Sequence, residues 1–169
     1  ILKSTDQGKT WSEVYTTQLP FYIAKLFILD SKTGIGIFQD QESRRFVSIQ
    51  KTIDGCKSWS SIAKIGDMVD FKNILLVNSN LYYLSSKPGS HEKSVLVIFD
   101  LKEGQSKREN LPGNIGARII TSDKRGSIYV VGKGKKNLSI ISRSPTGLFS
   151  NVPVPQPVHK LSPYSINII

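Results

Sequence analysis

The chain has 169 residues, 38% of them hydrophobic and 21% charged, enough for one domain with a real core. A net charge of +10 and a pI near 9.7 direct attention to acidic partners. No apolar run reaches the ~18–20 residues of a membrane-spanning helix, and Cys56, the single cysteine, excludes an internal disulfide and makes no zinc site. Ile1 opens the chain without an initiator Met or a signal-type segment, so the chain reads as a piece of something longer.

Taken in order, the sequence reads as repeated sets of four short strands, A to D, separated by turn signals. Residues 1–19 supply the end of one set: a stub of strand C, a turn from Ser4 to Trp11, and a strand D around Trp11 to Tyr15. In the next set, residues 22–65, A is Ala24–Leu29, B is Ile35–Phe38, C is Phe46–Lys51 and D is Trp59–Ile65. Residues 69–111 give Val69–Val77, Leu81–Ser85, Ser94–Phe99 and a D strand near Ser106–Leu111. Residues 115–152 give Ala117–Thr121, Ser127–Gly132, Leu138–Arg143 and Leu148–Val152. Pro153, Pro155 and Pro157 then predict an extended crossover, and residues 158–169 read as strand A of a further set.

The sets share a period of 46 residues. Gly34, Asn80 and Gly126 recur at that spacing, and Gly and Asn tolerate the positive φ of a two-stranded turn. Ile23, Val69 and Ile115 align, as do Ile28, Ile74 and Ile120, and Asp100 lies one period beyond Asp54. A β-sandwich needs no such period.

Two turns carry a common pattern, [Ser/Thr]-x-Asp-x-x-Lys-[Ser/Thr]-Trp. In the first it is Ser4, Asp6, Gly8, Thr10 and Trp11; in the second, 48 residues on, Thr52, Asp54, Gly55, Ser58 and Trp59. An Asp carboxylate can accept from backbone N–H groups two or three residues later, a Gly permits positive φ, and the Trp anchors the outgoing strand between sheets. The pattern resembles the Asp box of the bacterial neuraminidase repeat, found in sialidases, sortilin-type receptors and photosystem II assembly factors. The stretch from Leu29 to Gly36 leading to Trp59 resembles the blades of the last of these most. The resemblance implies an all-β fold, a β-propeller fragment of about three full four-stranded blades and two partial ones. It also implies a structural role for the box and points to a secreted or periplasmic setting. Cys56 replaces a Gly of the pattern, which predicts a slacker second turn.

Catalysis finds little support. A calcium loop would need further acids beside Asp6 and Asp54. A sialidase would need a Tyr nucleophile and three arginines on the substrate carboxylate, and Arg118-Ile119-Ile120 is a poor match to that family's Arg-Ile-Pro phrase. Tyr82, Tyr83 and Tyr129 fall in core strands, and His91 and His159 lie in different blades. No cofactor or metal site is expected.

The cations group better. In a four-strand meander the A–B and C–D turns share one end and the B–C loops the other. The B–C end receives Arg44, Arg45, Lys87, Lys93, Lys133, Lys135 and Lys136 against Asp40, Glu42 and Glu92. The expected function is a noncatalytic scaffold or assembly module binding an acidic protein through this end. The alternative is a fragment of a sialidase-like glycoside hydrolase, or an acidic-glycan-binding protein, whose active blades lie elsewhere. Nucleic acid is disfavoured, since the cations lack interleaved aromatics. Self-association or a companion chain is expected to complete the propeller.

Overall fold

The computed structural model describes residues 1–17, 21–41, 47–65, 69–86, 94–133 and 138–154, with residues 69–72, 86 and 114 described by their backbone. Among the described residues the chain forms antiparallel strands, a short 3-10 turn and no α-helix. It divides into two units, Ile1–Met68 and Val69–Ile169.

In the first unit, β1 (Leu2–Lys3) and β2 (Ser12–Glu13) form a two-stranded ladder, followed by a four-stranded meander. The meander is β3 (Phe21–Ile28), β4 (Gly34–Asp40), β5 (Val47–Thr52) and β6 (Ser60–Ile65), each paired with the next. The second strand is apolar on both faces, and Gly34 to Phe38 are all buried. Strand β3 starts three residues before the Ala24 predicted from alternation, because Phe21 and Tyr22 continue the ladder opposite Asp40 and Gln39. The Tyr22 hydroxyl hydrogen-bonds the Gln39 side chain there.

In the second unit, β7 (Val69–Val77), β8 (Asn80–Ser86), β9 (Ser94–Asp100) and β10 (Gln105–Asn110) form one meander. A 3-10 turn over Pro112–Asn114 leads into the next: β11 (Gly116–Ser122), β12 (Ile128–Lys133), β13 (Leu138–Arg143) and β14 (Phe149–Val152). Tyr82, Leu84 and Leu96 of the first sheet pack against Ile120, Ile128, Val130 and Ile141 of the second. Each such aliphatic contributes about 1.5–3 kcal/mol when fully buried. Polar links tie the sheets together: the Ser94 N–H donates to the Ile115 carbonyl (3.2 Å), the Ala117 N–H to Ser94 Oγ (3.0 Å) and the Ile120 N–H to Asn73 Oδ1 (3.4 Å). Residues 155–169, including Pro155, Pro157 and the tail read as a further strand, lie outside the described residues.

The three A–B turns are not alike, contrary to the alignment of Gly34, Asn80 and Gly126. Gly126 has φ +84°, but Asn80 begins β8, and the positive φ values belong to Asn78 (48°) and Ser79 (64°). That two-residue loop has both central residues left-handed, the twist-compatible hairpin turn. Gly34 sits within the ladder opposite Ile28 and Thr52, and a Cβ there would lie 3.1 Å from the Phe27 carbonyl oxygen. It serves close approach of strands, and the turn before it is made by Asp30, whose Oδ1 accepts the Lys32 and Thr33 N–H groups at 2.7 Å each.

Candidate functional site

The two Asp turns superimpose in chemistry. In the first, Asp6 Oδ1 accepts the Thr10 N–H (2.9 Å) and Oδ2 the Thr10 hydroxyl (2.6 Å), while Ser4 Oγ donates to Asp6 and accepts the Gly8 N–H (2.7 Å). In the second, Asp54 Oδ1 accepts the Lys57 and Ser58 N–H groups (2.9 and 3.0 Å) and Oδ2 the Ser58 hydroxyl (2.6 Å). Thr52 Oγ1 donates to Asp54 and accepts the Cys56 N–H (3.0 Å). Both carboxyls are held down to about 2, mainly by the hydroxyl and N–H of Thr10 or Ser58.

The expected slackness at Cys56 is absent. Cys56 takes φ 74° where Gly8 takes 87°, makes the matching hydrogen bond and buries its thiol, whose pKa burial pushes up. The left-handed conformation costs a non-glycine residue roughly 1–2 kcal/mol, so the turn's hydrogen bonds override local preference.

The tryptophans diverge. Trp59 packs edge-on to Phe38 (ring centroids 5.3 Å) and Tyr15 (6.2 Å), over Gly36, where a Cβ would lie 2.5 Å from the Phe38 ring. Trp11, expected between sheets, is 62% exposed, with its indole N–H donated to the Gly8 carbonyl.

The carboxylate oxygens of both Asp6 and Asp54 are engaged by their own turns, and among the described residues no group of three His, Cys, Asp or Glu side chains is placed to hold a metal ion. Asp54→Ala should therefore lower the unfolding midpoint more than Asp54→Asn, which keeps an acceptor. A group whose folded pKa lies below its ordinary value of 3.8 contributes stability present above that value and lost as pH falls toward about 2. The acid limb of a stability–pH profile should be shallower in the Asn variant.

Besides the Asp30 turn, those at Asp100, Asp123 and Ser144 among the described residues also have a side-chain oxygen accepting from the turn's N–H groups, and sequence reading missed the last two. Asp100 accepts from the Lys102 and Glu103 N–H groups; Asp123 accepts from Arg125, Ser127 and the Tyr129 hydroxyl; Ser144 Oγ accepts from Leu148. An Asp three residues before Gly126 was the legible signal in Asp123-Lys124-Arg125-Gly126.

Of the cations expected in the B–C loops, Arg44, Arg45, Lys87, Lys93, Lys135 and Lys136 lie outside the described residues, and Lys133 ends β12. The roots of two of these loops are described. Ser86 pairs with Ser94, and Lys133 with both Leu138 and Gly116. Ser94 bonds Ile115 and Ala117, the residues on either side of Gly116. The stems of segments 87–93 and 134–137 thus meet at one point of the second unit.

No family model and no curated protein matches the chain. Among solved structures it is similar to YCF48 bound to a D1 peptide, with a TM-score of 0.63 at 18% identity over 88% of this chain. The fold is that of β-propeller blades. The chain spans 45% of that neighbour's length.

In propeller terms the other sequence candidates fall on blade strands or outside the described residues. Tyr82 and Tyr83 are buried on β8, the latter's hydroxyl pushed up to about 12 by burial. Arg118 is exposed at the β11 bulge between Ala117 and Ile119, and Arg143 is engaged by Glu109. His91 and His159 lie outside the described residues.

Proposed function

We propose that this chain is a noncatalytic propeller module that binds an acidic protein segment through its B–C loop end. The observation that carries the reading is the meeting of the loop stems through Ser94, Ile115, Gly116 and Ala117. Loops rooted at one point pool the fields of Lys87, Lys93, Lys133, Lys135 and Lys136, which speeds encounter with an acidic partner. That YCF48 is bound to a peptide supports protein recognition as a use of this fold. The matching hydrogen bonds at Asp6 and Asp54 support reading both turns as Asp boxes, in the style of photosystem II assembly factor repeats.

The test is association with an immobilised Glu-rich peptide, against a neutral peptide of equal length. Reversing Arg44, Arg45, Lys135 and Lys136 to Glu should slow association about tenfold or more and flatten its salt dependence, with stability unchanged within ~0.5 kcal/mol. Reversing Lys9, Lys32, Lys57 and Lys124, which sit in the turns, is the comparison. Equal slowing by both sets would mean that net charge alone is being read, and would overturn the assignment to the B–C end.

A further inference from the structure

The β1–β2 ladder has the register of the last two strands of a complete sheet. Leu2 pairs with Glu13 and Lys3 with Ser12, as Gln50 pairs with Ser61 and Lys51 with Ser60 on β5 and β6. In the complete sheet β4 lies along β5, with Gly36 opposite Gln50 and Ile37 opposite Ile49. Trp59 rests over Gly36, where a Cβ would lie 2.9 Å from the indole, and packs on the Phe38 ring. The corresponding edge of β1 carries no strand among the described residues. Its residues differ from their counterparts accordingly. Ile49 is 1% exposed, whereas Ile1 lines an open groove and Leu2 is 60% exposed. Trp11 is turned back onto the Gly8 carbonyl instead of resting on a neighbouring strand. The groove is lined by Ile1, Tyr15, Thr16, Thr17, Ile23 and Leu26, and Leu26 has a counterpart in the second unit. Lys25 and Leu26 pair with Ile37 and Gly36 after the β3 bulge, as Ile119 and Ile120 pair with Val131 and Val130 after the β11 bulge. Ile120 is buried, because Leu75, Val77, Tyr82 and Leu84 of β7 and β8, the first two strands of the preceding sheet, share its core. Its N–H donates to Asn73 of β7. Leu26, half-buried, lines the groove instead.

We infer that the β1 edge and this groove together receive a two-stranded β-hairpin, equivalent to the first two strands of a sheet. One of its strands pairs antiparallel with β1, and its backbone supplies affinity by satisfying the open edge. That strand needs a glycine opposite Leu2 and an aromatic residue two positions later, the arrangement of Gly36 and Phe38 beneath Trp59. Trp11 then leaves the Gly8 carbonyl and seats on the incoming strand. The other strand lays aliphatic side chains over Ile23 and Leu26, as β7 and β8 cover Ile120. The hairpins β3–β4, β7–β8 and β11–β12 are already paired with β5, β9 and β13, so a second copy could donate one only by opening a sheet. The occupant is a hairpin of a polypeptide segment other than residues 1–169.

The experiment adds to the full chain a labelled synthetic peptide copying residues 21–40, in which Gly36 and Phe38 have the required spacing. Anisotropy of the label measures binding. Binding is expected together with a blue shift of tryptophan emission and slower amide hydrogen exchange at residues 2–4. Trp11→Ser should abolish the blue shift and weaken binding about tenfold or more, and Leu26→Ser should weaken it to a similar degree, since each removes a large apolar contact. A peptide carrying Gly36→Leu should bind at least about tenfold more weakly, because its side chain fills the seat of the indole. Trp11 is exposed, so its variant stays folded, which a matching unfolding midpoint verifies. Failure of the peptide to bind would overturn the inference, as would binding that leaves emission and exchange at residues 2–4 unchanged. Concentration-dependent dimerisation of the chain alone, with those amides protected, would overturn it in favour of a second copy. Protection of the same amides that is lost on deleting residues 155–169 would assign the edge to that segment and overturn it equally.

Discussion

Gly132→Ala is expected to destabilise the second unit by about 3 kcal/mol or more, at the upper end of overpacking costs. A Cβ there would lie 2.7 Å from the Gly116 carbonyl oxygen and 2.8 Å from the Ala117 Cα. Both are backbone atoms, so no side chain can rotate away. The register of β11 on β12 shifts between Ala117 and Ile119, and Ala117 pairs directly with Gly132 at the edge of that bulge. Relief therefore requires the two strands to separate where Ser94 bonds Ala117, at the stem of the B–C loops. Denaturant midpoints measure the loss. Gly104→Ala is the control: its φ is +67° but nothing lies within 4 Å of the added Cβ, so only the conformational penalty of about 1 kcal/mol applies. If both variants lose the same stability, close strand approach at Gly132 is not the cause.

The contrast between those glycines shows which features a sequence exposes. The blades were legible because strand alternation and the 46-residue period are local and repeated; Val69–Val77 and Leu138–Arg143 lie where alternation puts them. The Asp turns were legible because their hydrogen bonds span four residues or fewer. The role of Gly34 was not, since its need is set by Phe27 and Thr52 on neighbouring strands. Nor was the exposure of Trp11, which repeats the sequence context of Trp59 but lacks the Phe38 ring that receives the second indole. Of the proposed basic loop end the sequence offered the charges, while the meeting of the stems depends on hydrogen bonds between Ser94 and residues more than twenty positions later. Distance along the chain, more than residue type, separates what pattern reveals from what packing decides.

The ion pair of Glu109 and Arg143 is the extreme case, and breaking it should cost about 3 kcal/mol. Arg143 Nε and Nη2 donate to the two carboxylate oxygens at 2.6 and 3.0 Å, across 34 residues of sequence. The two side chains are only 9% and 11% exposed, and the guanidinium lies 5.9 Å from the Tyr82 ring centroid. The pair joins the outermost strand of one sheet, β10, to the third strand of the next, β13, and the exposed Lys107 reaches Glu109 from its own strand at 2.9 Å. Glu109→Leu leaves the buried Arg143 charge without its carboxylate, whereas Arg143→Met leaves Glu109 with Lys107 Nζ at 2.9 Å, so the first should cost more; the double variant leaves neither charge. The double variant should recover most of the loss, because desolvating an ion pair offsets much of its attraction. Acid supplies an independent check. Hydrogen bonding by Arg143 lowers the Glu109 pKa from its ordinary value of 4.5, so this contribution is present above that value and lost as pH falls through the lower folded one. Wild-type protein should show this added loss of stability below about pH 4.5, and the double variant should not. A double variant as unstable as the singles at neutral pH, or one with the wild-type acid profile, would show that the pair does not hold these two sheets together.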